Sequence, residues 1–222
     1  MMLAVLPVKH EDATQCVALR LASLGSLVIG RLPAYPGYIQ DQEASLHKDL
    51  DSSLHVHHLK VVDAQSQGGE IVAYAKWEVY ADGRPDLAQL RQPMKQSEME
   101  VDRFGRLRRA AYWYFSRCNG ETGKRPHILL ALLATASQHR RRGAGGLLVR
   151  WGIDLSETTR LPCYLQASEQ GRRLYGHYGF REIDTVEFNL SEYGLGEGVE
   201  RMTEMVRIPA AVDGLHSPIQ RI

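Results

Sequence analysis

The spacing of apolar and polar positions divides this chain into strands and helices that alternate. Residues 3–10, LAVLPVKH, read as an edge strand, where Pro7 is acceptable because an edge position needs no N–H for pairing. Residues 11–32 follow a helical period. Val17, Leu21, Leu24 and Val28 recur on one face, and Asp12 or Thr14 stands where a cap belongs. PAYPGY breaks that helix, and DQEASLHKDLDSSL reads as a second, shorter one.

Two runs rich in Val, Ile, Tyr and Trp come next, LHVHHLKVVDA and EIVAYAKWEVY, joined by QSQGG in the manner of a hairpin. Residues 86–126 read as a helical insert, with Val101, Phe104, Leu107 and Ala111 on one face and charges on the other. HILLALLAT, residues 127–135, lacks alternation and reads as a strand buried on both faces, in a parallel or central position. A helix over 144–159, a strand at 162–168, a short helix and turn at 169–180 and a closing pair of strands complete the order. The tail 211–222 reads as loosely ordered. The order predicts one mixed α/β domain over residues 1–222.

Composition narrows the function classes. The chain has 222 residues, with 27 basic and 26 acidic side chains and a net charge of +1. A general nucleic-acid surface is not implied, so any basic function is local. Cys16, Cys118 and Cys163 are widely spaced and odd in number. They suggest neither a disulfide framework nor a metal knuckle, and they fit a reducing, cytoplasmic compartment. No apolar run approaches the roughly 20 residues of a membrane span, and the apolar start reads as a strand, not a signal peptide.

The chemistry begins directly after the buried strand. Residues 140–146, RRRGAGG, open the next helix. A helix start leaves about four N–H groups without intrahelical partners, and glycine lets an anion come close to them. The segment is neither a Walker loop, which needs Lys followed by Ser or Thr where Leu147 and Leu148 stand, nor a dinucleotide fingerprint. Three readings stay open on local pattern: a phosphate cradle, a solvated glycine-rich turn, or a nucleic-acid patch.

Two segments resemble the GNAT superfamily of acyl-CoA-dependent N-acetyltransferases. Arg140-Arg141-Arg142-Gly143-Ala144-Gly145 matches that family's acyl-CoA signature, Gln/Arg-x-x-Gly-x-Gly/Ala, and follows a strand placed like its pantetheine-binding strand. SEQGRRLYGHYGF matches a second family segment through Ser168, Gly171, Leu174, Tyr175, Gly179 and Phe180. YAKW and YLQAS look most like the fungal branch. The strong resemblance covers residues 127–182. It implies a mostly antiparallel, V-shaped central sheet flanked by helices, with acetyl-CoA as cosubstrate, an amine as acceptor and no metal.

The resemblance also implies roles. The backbone of Arg140, Arg141, Arg142, Gly143, Ala144, Gly145 and Gly146 would hold the pyrophosphate. Leu133, Ala134 and Thr135 would align the pantetheine arm, and a backbone N–H near Leu133 would polarise the thioester carbonyl. Ser168, where the family carries asparagine, and Gly171 would also contact the cofactor. Tyr175 would protonate the departing thiolate, although a packing role for it stays open. The chain departs from the family in one respect: residues 128–134 contain no ionisable side chain, so a general base must come from elsewhere, with His127 and Glu78 as candidates.

The implied reaction is direct attack of a small-molecule primary amine on acetyl-CoA in a ternary complex, by a monomer or homodimer. A protein or peptide acetyltransferase, a non-catalytic acyl-CoA-binding module and a nucleic-acid-binding domain stay open. Other features read as structural. His55, His57 and His58 are expected to be surface histidines, the aromatic run 112–115 to be packing, and the arginines of 106–109 to form a solvated helix face.

Overall fold

A computed structural model describes residues 2–25, 27, 37–63, 65, 69–90 and 103–210. The strands are β1 (Leu3–Pro7), β2 (Val56–Asp63), β3 (Ile71–Tyr80), β4 (His127–Thr135), β5 (Cys163–Ser168), β6 (Arg181–Asn189) and β7 (Val199–Arg207). The helices are α1 (Ala13–Leu24), α2 (Tyr38–Ser52), the single turn α3 (Leu87–Leu90), α4 (Gly105–Thr122), α5 (Ala144–Thr159) and α6 (Glu169–His177). Among the described residues all seven strands form one sheet in the order β1-β2-β3-β4-β5-β7-β6. β4 and β5 are parallel, and the other neighbours are antiparallel. The expected mixed, mostly antiparallel sheet is therefore present. The expected tail 211–222 and the Val101 and Val28 positions lie outside the described residues.

Alternation along the strands sorts side chains onto two faces. On one face Ala75, Trp77, Ile128, Leu130, Cys163, Leu165 and Met205 bury themselves against Leu148 and Val149 of α5 and Tyr175 of α6. On the other face, Tyr74 and Leu132 pack with Cys16 of α1 and Leu46 of α2. Further along that same face, Met202 and Phe188 pack with Leu107, Ala111, Tyr114 and Cys118 of α4. Within the predicted insert, α4 is thus a long helix that covers β5, β7 and β6.

Several local expectations need correction. Asp12 does stand at the start of α1, but its carboxylate makes no cap bond there. It instead accepts from Lys9 N at 2.7 Å and from the buried Lys60 ammonium at 2.6 Å. A charged partner that is itself buried outcompetes the helix start for the oxygen lone pairs. His58 is not a surface histidine: it is buried, with Nδ1 2.7 Å from Tyr74 Oη and Nε2 3.0 Å from Asp49. His57 is half-buried beside Trp151. Arg108 is buried within the supposed solvated face of α4, and Trp113, expected in the packing, is 56% exposed. Periodicity places a residue on a face, but it does not reveal what the facing element brings.

Candidate active site

The site is built by a parting of two neighbouring strands. β4 pairs with β5 only at Ile128↔Cys163, Leu129↔Tyr164 and Leu130↔Leu165. On its other edge β4 keeps pairing with β3 as far as Thr135↔Ala73. Between Trp77↔Leu130 and Lys76↔Leu132 the register slips by one residue, so Ala131 is a bulge. The bulge falls directly after the last β4–β5 pair. From Ala131 to Thr135, β4 therefore has β3 on one side and a gap on the other. Gln166, Ala167 and Ser168 line the far bank of that gap from β5, which is paired there with β7.

At the end of the fork the chain turns into α5. Arg141 and Gly143 both take left-handed backbone, at φ 60° and φ 90°. Glycine meets the second demand without strain. Leu147 N donates to Gly143 O at 3.1 Å and is the first N–H to bond back into the helix. The N–H groups of Ala144, Gly145 and Gly146 thus point out of the helix start, where the dipole is positive. Gly145 shows how close the parts lie. A Cβ there would be 3.4 Å from Leu174 Cδ2, 3.5 Å from Thr135 Oγ1 and 3.6 Å from Leu133 Cδ2. Helix start, strand end and α6 therefore converge on one backbone position. A Cβ on Gly146 would collide with Tyr178 Oη, so that hydroxyl rests on the first turn of α5. Tyr178 is a site residue that sequence reasoning missed.

The three arginines do not act alike. Arg140 and Arg141 are exposed. Arg142 is drawn away from the helix start by Asp63, at 3.5 Å, and by the His139 ring. Consecutive side chains cannot all face one ligand, and Arg142 is the one committed elsewhere. Ser168 caps α6 by accepting from Gly171 N at 3.3 Å, which leaves its own O–H to donate. Tyr175 is buried against Phe180, edge to face at 6.0 Å. Burial pushes its phenol above the ordinary tyrosine range. Gly171 makes room for that ring: a Cβ there would be 2.9 Å from Tyr175 Cε2.

The two candidate bases sit below the fork. Six residues of extended strand separate His127 from Leu133, roughly 20 Å of chain. The ring of His127 is buried between Tyr80 and Tyr164, and its Nδ1 donates to Arg125 O at 2.8 Å. Burial lowers its pKa, so it stays neutral. Glu78 of β3 pairs with Leu129 of β4 and is held by Tyr80 Oη at 2.7 Å, Lys76 at 3.3 Å and Arg84 at 3.5 Å. Neither lies level with Ala131–Thr135. No group of three or more metal-ligating side chains gathers among the described residues, and none of their helices is long and apolar enough to cross a membrane.

No family model matches the chain. Among curated proteins, an uncharacterized N-acetyltransferase of Schizosaccharomyces pombe is 33% identical over 67 residues, covering 30% of this chain and 28% of that protein. A probable acyltransferase of Ajellomyces capsulatus is 36% identical over 44 residues, covering 20% of this chain and 32% of that protein. The matched segments span less than a third of either relative. Both relatives are fungal, as the likeness of YAKW and YLQAS suggested. Solved structures match nearly end to end. Arylalkylamine N-acetyltransferase 2 of Aedes aegypti has a TM-score of 0.65 at 14% identity, covering 94% of this chain and 99% of that one. A histone acetyltransferase HPA2-related protein of Corynebacterium glutamicum has a TM-score of 0.60 at 19% identity, covering 96% and 99%. NAA60 of Arabidopsis thaliana, solved with acetyl-CoA, has a TM-score of 0.56 at 11% identity, covering 93% and 98%. The chain has the fold that these acetyltransferases share.

Proposed function

We propose that this chain is an acyl-CoA-dependent N-acetyltransferase. In this reading it transfers the acetyl group of acetyl-CoA to the primary amine of a small molecule, by direct attack within a ternary complex. One observation carries the reading: the gap opened at Ala131 leads straight to the unpaired N–H groups of Ala144, Gly145 and Gly146. An extended chain with a diphosphate at its end is the ligand class that uses both features at once.

Each part then has its own role. The helix start, with Arg140 and Arg141 around it, takes the diphosphate. The pantetheine arm lies along Ala131–Thr135 as an added strand and meets the backbone of Leu133, Ala134 and Thr135. A backbone N–H near Leu133 holds the carbonyl oxygen as charge develops on it. Ser168 offers its hydroxyl hydrogen to the arm, and Gly171 lets Tyr175 stand close behind. The amine nitrogen attacks the thioester carbon, the C–S bond breaks, the thiolate takes the phenolic proton of Tyr175, and the proton that the new amide nitrogen gives up restores the phenol. Burial keeps that phenol protonated, and the same burial raises the basicity of a thiolate formed beside it.

The test combines calorimetric titration of CoA with a thiol-release assay using acetyl-CoA and a broad amine library. Amine-dependent release supports the reading. CoA binding with no release from any amine would instead make the chain a binding module, and no CoA binding would refute the site.

A further inference from the structure

One strand behind the β5 bank of the fork lies an acidic group that the reaction above does not use. Glu204 of β7 pairs directly with Gln166 of β5, and Gln166 is the first β5 residue past the last β4–β5 pair. Glu204 therefore lies level with the opening of the gap, one strand behind its bank, at a strand spacing of roughly 5 Å. Its side chain points to the α4 face, where the Cys118 thiol donates to it. Gln166 points the same way, and its amide donates to Asn119 Oδ1 of α4 at 3.2 Å. On the same face, one pair below, the half-buried Tyr164 and the buried Leu129 give an aromatic and apolar floor.

Glu204 is 6% exposed. Among the described residues it has no ion-pair partner. The cation that acts on it, Arg117 of α4, is committed to Asp184 of β6 at 2.5 Å. The groups that face Glu204 are Cys118, Glu121 and Arg117 from α4, Asp184 from β6 and Tyr164 from β5. Burial pushes its carboxyl upward; the carboxylates of Glu121 and Asp184 push the same way, against the Cys118 hydrogen bond and Arg117. A buried carboxyl that lacks a cation is costly to keep ionised, so Glu204 takes up either a proton or a cation that enters.

We infer that Glu204, beside Gln166 and beneath α4, is the recognition carboxylate for the acceptor, and that the acceptor class is small primary amines that arrive as ammonium ions and pass one proton to that carboxylate before the nitrogen attacks. The inference rests on the acetyltransferase reading and adds the acceptor's charge to it. It also gives α4 a function. α4 roofs the ammonium site and keeps bulk water from it, so the charge pair forms in a medium less polar than water.

The experiment uses the full chain saturated with CoA, which cannot transfer an acetyl group. Phenethylammonium chloride and its neutral analogue 2-phenylethanol are each titrated into it by calorimetry at pH 7. The wild type is expected to bind the ammonium at least about tenfold more tightly than the alcohol. Glu204→Gln is expected to bring the two within about twofold while leaving CoA affinity unchanged. Glu204→Met, apolar and of similar volume, gives the same collapse should the amide variant fold poorly. Equal binding of the two probes by the wild type, or a preference that survives in both variants, overturns the inference. The CoA titration that precedes the probes reads the acetyltransferase proposal separately: absence of CoA binding there overturns that proposal, whatever Glu204 does.

Discussion

Trp77 and Gly152 occupy each other's space. A Cβ at Gly152 would collide with Cη2 and Cζ2 of the fully buried Trp77 ring, whose Nε1 donates to Leu148 O at 3.2 Å. The indole is driven against α5 at a position that has no side chain, Gly152. This contact sets the depth of α5 on the sheet and so holds its N-terminal cradle against the end of β4.

Gly152→Ala is therefore expected to destabilise the fold by roughly 1–3 kcal/mol through overpacking. At about 2–4 °C per kcal/mol for a chain of this size, thermal melting should fall by several degrees. Trp77→Phe in the same chain should recover part of that loss, because the two positions are coupled. Additive losses would show that the ring and the helix turn are independent.

Asp49 gives a pH dependence with a definite sign. Burial pushes its carboxyl up, but hydrogen bonds from His58 and Lys76 and the charge of Lys76 outweigh this and hold it at about 2, against 3.8 for the free group. A depressed carboxyl contributes stability that is present above 3.8 and is lost as the pH falls toward about 2. Denaturant midpoints measured from pH 5 to pH 2 should fall, and Asp49→Asn should flatten that fall. An unchanged profile in the variant would remove Asp49 from the account.

Tyr175→Phe separates chemistry from packing. The ring stays, so the contacts with Phe180 and the space above Gly171 are kept. Loss of a positioned proton donor should lower kcat by about 10²-fold or more, with little change in acetyl-CoA affinity. An unaltered kcat would leave Tyr175 a packing residue.

Much of the fold is legible in the sequence because each element there follows its own period. HILLALLAT carries no polar alternation because β4 is a central strand; its first half, residues 127–130, is buried, whereas beside the fork Ala131 is exposed and Leu132 and Leu133 are half-buried, which the unbroken apolar run does not show. AGGLLVRWGIDLSETT gives α5 its bounds, yet the four-apart series Leu147, Trp151 and Leu155 is only half-buried. The deeper stripe runs through Ala144, Leu148, Gly152 and Ser156. Two glycine or alanine positions hide that stripe from a hydrophobicity pattern, and the reason for Gly152 lies on Trp77, 75 positions earlier in the chain.

The candidate site divides in the same way. The cradle is readable because its glycines and its helix start are contiguous. The fork is not, because it depends on a one-residue slip at Ala131 that only pairing with β3 reveals. Tyr178 over Gly146 and Glu204 opposite Gln166 are contacts between separate elements, with no local signature. His58 shows the converse. Its partners Asp49 and Tyr74 come from α2 and β3, so HVHH alone suggests surface histidines.

The most direct test of the account is the charge tolerance of position 143. Gly143 has a left-handed backbone and open space where a Cβ would stand. Asn and Asp accept that backbone better than other side chains and have the same shape, so they differ there in charge alone. Acetyl-CoA is titrated calorimetrically into Gly143→Asn and Gly143→Asp. A diphosphate held at this helix start predicts that the Asp chain binds at least about tenfold more weakly than the Asn chain, with the gap narrowing as salt is added. Equal affinities in the two variants would place the diphosphate elsewhere and contradict the account.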